Sequence, residues 1–123
     1  MRVEPAFVGA RGVDSLPFSQ GGTAAQAQAL AARGVDFFVG YLGAMSAGRL
    51  AAVLDAGLAF MPVTFAGAVF NGAEDELAQL AHLGIPLGTT VWLDLEGAKT
   101  LTVPIDVLTR QVNDWAAKIA AAM

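Results

Sequence analysis

Thr89-Thr90-Val91-Trp92-Leu93-Asp94-Leu95-Glu96-Gly97 is a short apolar run, rich in β-branched and aromatic residues, that ends in two carboxylates. Bounded by Gly88 and Gly97, it reads as a buried strand. Side chains alternate faces along a strand, so Trp92, Asp94 and Glu96 share one side and Val91, Leu93 and Leu95 the other. The all-apolar side suits packing against helices. The acidic side then faces the interior if the sheet curls into a barrel. Carboxylates are costly to bury unless paired or hydrogen-bonded, so acids on an inner face imply a lined cavity rather than a dry core.

Outward from this strand the chain repeats one unit. Three predicted helices end in glycine followed directly by an apolar strand, at Gly34-Val35, Gly57-Leu58 and Gly84-Ile85. Residues 1–11 form a lead-in. Gly12 to Leu16 is the first strand, stopped by Pro17 and followed by a loop over Phe18 to Gly22. Thr23 caps a helix from Ala24 to Arg33. Val35 to Leu42 is the second strand, Ser46 caps a helix through Asp55, and Leu58 to Phe65 is the third strand. Asn71 or Gly72 opens a helix over Ala73 to Leu83, with Glu74, Asp75 and Glu76 in its first turn, where the helix dipole favours them. Thr102 caps the last helix, whose residues Ile105, Leu108, Val112, Trp115 and Ile119 draw one apolar stripe. Strands alternating with helices predict an α/β protein: a parallel sheet of (βα) units with right-handed crossovers, in one domain over residues 12–123. The sheet is either open and doubly wound or part of a TIM-type (β/α)8 barrel. A full barrel takes about 250 residues, so four units make about half of one.

Composition narrows the function classes. Seven Lys and Arg against eleven Asp and Glu give a net charge of −4, and no basic cluster speaks for nucleic acid. The hydrophobic fraction is 55% and the mean hydropathy +0.56, yet no apolar run reaches the roughly 18 residues that span a bilayer. Met1-Arg2-Val3-Glu4-Pro5 does not read as the opening of a secretory signal. Without cysteine there is no disulfide, no thiol nucleophile and no Cys-ligated metal. Gln20-Gly21-Gly22-Thr23 lacks the lysine and spacing of a phosphate loop. No metal or cofactor is expected. The chemistry available is that of carboxylates: Asp14 closes the first strand as Asp94 and Glu96 close the fourth. If both strands aim at one pocket, the three acids cluster, and crowded carboxylates can hold a proton near neutral pH, as a general acid must. Tyr41 and Trp92 are the aromatic candidates for the wall of such a pocket.

Gly12-Val13-Asp14, Gly34-Val35-Asp36-Phe37-Phe38-Val39-Gly40-Tyr41-Leu42-Gly43, Ala56-Gly57-Leu58, and Leu83-Gly84-Ile85-Pro86 leading to Val91-Trp92-Leu93-Asp94-Leu95-Glu96 together resemble the glycoside-hydrolase-like (β/α) barrel domains similar to the family 25 lysozymes. Order and spacing agree over most of residues 12–97. The resemblance implies a barrel that cleaves or binds a cell-wall glycan such as peptidoglycan. It makes Glu96 the general acid, Asp94 its partner at the developing positive charge or the substrate acetamido group, and Asp14 an orienting carboxylate. Glycoside cleavage needs such a pair: a protonated acid at the leaving oxygen, and a carboxylate or the substrate's own amide at the anomeric carbon. The later strands of that family, and the further acid they carry, have no counterpart here. Relative to a full barrel the domain reads as truncated, with two open sheet edges. A longer chain, a homodimer or a second chain would each complete it. The alternatives to an enzyme are a non-catalytic glycan-binding or structural module, and a flat α/β sheet with its acids apart.

Overall fold

The computed structural model describes residues 1–5, 7–65, 73–95 and 103–123. Its centre is a four-stranded sheet of β1 (Gly12–Asp14), β2 (Phe37–Tyr41), β3 (Ala59–Phe65) and β4 (Trp92–Asp94), in that order. Every neighbouring pair is parallel. Helices alternate with the strands: α1 (Leu16–Gly21), α2 (Ala24–Ala32), α3 (Ala47–Asp55), α4 (Ala73–His82) and α5 (Ile105–Ala122). One turn of 3-10 helix, Leu42–Ala44, follows β2.

Local chemistry accounts for the helix ends. Thr23 and Gln26 form a reciprocal capping box at the start of α2, and Ser46 accepts the Arg49 N–H at the start of α3. Past the ends of α2, α3 and α4, Gly34, Gly57 and Gly84 take φ of +73°, +82° and +66°. That left-handed conformation costs other residues energy, and it turns the chain from helix back into strand. The repeated glycines are therefore the joints of the βα units. The proposed caps Thr102, Asn71 and Gly72 lie outside the described residues.

The register puts Val13, Phe38, Phe60 and Leu93 on one face of the sheet, and these are the strand side chains that join the hydrophobic core. Ala27, Leu50, Val53, Leu80, Trp115 and Ile119 of the helices close over them. The opposite face carries Asp14, Val39, Tyr41, Met61, Val63, Phe65, Trp92 and Asp94; Val63 is buried there, but none of these joins the cluster under the helices. The described helices thus pack on the Phe38 face, as on the outside of a barrel. Val91 and Leu93 pack toward the core as the alternation predicts, and Trp92 and Asp94 point away from it.

Two details depart from the sequence reading. The stretch after Pro17 is helical, not a loop: α1 is capped by Ser15, which accepts the Phe18 N–H at 3.2 Å. Pro17 sits in the first turn, where a missing N–H costs nothing, so it starts the helix rather than stopping the chain. Phe18 then packs on Phe38 with ring centroids 4.7 Å apart. The stripe on α5 is also shorter than predicted. Trp115 and Ile119 are buried, whereas Ile105 is 76% exposed. An exposed ion pair from Lys118 to Glu74, at 2.7 Å, ties α5 to α4.

Candidate functional site at the strand ends

Asp14, Tyr41 and Asp94 occupy the C-terminal ends of β1, β2 and β4, on the face away from the helices. The Tyr41 hydroxyl lies 3.1 Å from Asp14 Oδ2 and 3.2 Å from Asp94 Oδ2. The two carboxylate oxygens can therefore be no farther apart than two hydrogen bonds laid end to end. A flat sheet forbids this. Three strand spacings of about 4.8 Å would separate β1 from β4 by roughly 14 Å. Asp14 is level with Met61 and Asp94 with Phe65, four residues further along β3, which adds roughly 13 Å at about 3.3 Å per residue. Contact through one tyrosine requires a sheet that is concave toward Tyr41 and staggered along its strands. An eight-stranded barrel of shear 8 advances about one residue per strand, a stagger of similar size. The described strands form an arc of this kind and do not close.

Beside this contact is a cavity of about 910 Å³, open to solvent, between the strand ends, the start of α1, the 3-10 turn and α4. Asp14, Tyr41, Phe65 and Asp94 line it from the strands, and Glu76 lines it from α4. Buried Thr64 donates to Glu76 Oε1 at 2.8 Å, and Glu76 Oε2 is a buried oxygen with no hydrogen-bond partner among the described residues. The wall carries acids, and no Lys, Arg or His stands among its described residues.

Burial pushes the Tyr41 phenol above its usual 10.0, and the hydrogen bonds and negative charges of Asp14 and then Asp94 push it further. Tyr41 is thus a neutral donor over the whole physiological range. Its backbone is held too: the Tyr41 N–H donates to Ser19 Oγ at 3.3 Å, and Ser19, on α1, is fully buried. This helix, which stands where the sequence predicts a loop, therefore anchors the end of β2.

The structure brings Asp14, Asp94 and Tyr41 together. Glu96, the expected general acid, lies outside the described residues. Trp92 shares their face but does not line the cavity, and it is 54% exposed. Beside Tyr41, the aromatic in the cavity wall is Phe65, 53% exposed. Ser19, Thr64 and Glu76 were not singled out as site residues in the sequence. Glu76 had one signal, its place in the acidic first turn of α4, but that pattern is equally what a helix dipole selects. Among the described residues no group of three or more His, Cys, Asp or Glu could hold a metal ion, and no helix is long and apolar enough to cross a membrane.

Fold and site together define a parallel α/β domain with a carboxylate pocket at the strand ends. Comparisons with protein-family models, curated proteins and solved structures each gave no match.

Proposed function

We propose that this domain is a glycoside-hydrolase-like half-barrel whose pocket takes a cell-wall glycan of β-1,4-linked amino sugars. The observation that carries the reading is the meeting of Asp14 and Asp94 at one tyrosine. Two carboxylates, a neutral hydroxyl donor and an exposed aromatic ring at the mouth of a concave sheet match the needs of a sugar ring, which offers hydroxyl donors at its edge and C–H groups on its face. Glu96, two residues beyond Asp94, is the proposed general acid, with Asp94 as the carboxylate at the anomeric centre and Asp14 orienting the ring. In the same reading a second half-barrel, supplied by a second copy of this chain, covers the exposed face of Phe65 and Trp92.

Glu96→Gln keeps the size of the side chain and removes the acid. Wild-type protein should clear a peptidoglycan suspension and bind its soluble fragments, and the variant should bind with turnover reduced at least a hundredfold. Fragment binding by both proteins with no turnover by either would assign a binding module instead. Neither binding nor clearing by the wild type would sink the glycan reading.

A further inference from the structure

We propose that Tyr41 is a positioning residue that couples the two aspartates, donating its single hydroxyl proton to Asp14 or to Asp94 in turn. An ionised carboxylate only accepts hydrogen bonds, and a phenol has one proton to give. With both contacts close to 3 Å, the phenol serves one aspartate at a time and changes partner by rotating about its C–O bond. Asp14 is exposed and lines the cavity, so a ligand hydroxyl that donates to Asp14 meets that carboxylate's need and turns the phenol toward Asp94. Ligand at β1 thereby changes the hydrogen bonding of a carboxylate on β4, three strands away in the sheet order. Rotation of one hydroxyl moves a proton and asks no movement of the backbone, and Ser19 holds the Tyr41 amide in place. The inference rests on this cavity being the site. It does not rest on the ligand being a glycan.

Tyr41 is the only tyrosine of the chain, so its phenolate absorbance reports it alone. The native protein should titrate above 10.0, and Asp14→Asn and Asp94→Asn should each lower the midpoint. A wild-type midpoint at the ordinary value, or one that neither substitution moves, would overturn the proposal. Coupling is read by the side-chain carboxyl carbon resonance of Asp94 during titration with an N-acetylglucosamine tetramer, or with sodium acetate and glycerol as minimal acceptor and donor probes if the tetramer does not bind. The resonance should move in the wild type and stay still in Tyr41→Phe, which keeps the ring and the Asp14 carboxylate that receives the ligand but removes the proton that changes partner. Equal movement in both proteins would overturn the coupling. A tetramer that does not bind, beside a raised phenol midpoint and a response to glycerol, would count against the glycan reading and leave Tyr41 in its role.

Discussion

Tyr41 shows how one side chain draws on three parts of the chain: its amide bonds to Ser19 on α1, and its hydroxyl meets acids on β1 and β4. Because its pKa is raised on folding, this group's contribution to stability is full below the unfolded value of 10.0 and is lost as pH rises through the higher folded value. Alkali should therefore weaken the fold before the phenol itself ionises. Thr64 carries a second prediction at this scale. Its hydroxyl is the partner of Glu76 Oε1, and Glu76 Oε2 has none among the described residues, so Thr64→Val removes the one donor described for this carboxylate. The change should cost about 1–3 kcal/mol in chemical denaturation, whereas Thr64→Ser, which keeps the donor, should cost less. A Val variant as stable as the wild type would show that water serves Glu76 equally well. The parity of β4 was legible at this scale, since alternation alone separates Asp94 from Leu93. The Thr64–Glu76 bond was not, because nothing in local sequence relates a strand hydroxyl to an acid twelve residues later across a helix start.

At the scale of elements, the glycine joints were the clearest sequence signal, and each stands where a helix hands over to a strand. A side chain at Gly57 would meet no other atom within 4 Å, so Gly57→Ala tests backbone conformation alone. Forcing φ of +82° on alanine should lower stability by about 1–2 kcal/mol, visible as a lower melting temperature with the folded spectrum unchanged. No loss would mean that the turn relaxes to another conformation. Elements long enough to show a period, α3 and α4, were legible almost to their last residue. The six-residue α1 was not, for a helix under two turns displays no period and its proline carries opposite meanings at a start and at a stop.

For the molecule as a whole the decisive feature is that, among the described residues, the helices pack on one face of the sheet and aromatic side chains stand exposed on the other. Phe65 and Trp92 are each more than half exposed, and β1 and β4 end the sheet with unpaired edges among the described residues. Exposed edges and apolar faces favour association. A twofold axis along the strands would set β4 of one copy beside β1 of the next, both pairs parallel. Light scattering should then give twice the 12.6 kDa chain mass, and Trp92→Lys should return the monomer. A dilute, monodisperse monomer in the wild type would rule this pairing out.

The sequence by itself determined the order of the strands and of the four longer helices, the parallel sheet, the side of β4 that bears its acid, and the glycine turns. These depend on neighbours within a few residues, where alternation, capping and φ preference act directly. Only the tertiary structure decided that Asp14 and Asp94 meet. Their approach depends on the curvature and stagger of four strands summed together, a quantity no single stretch encodes. The same holds for the choice of Tyr41 and Phe65 over Trp92 at the cavity: Trp92 shares their face and stands in the register row of Tyr41, yet lies outside the cavity wall.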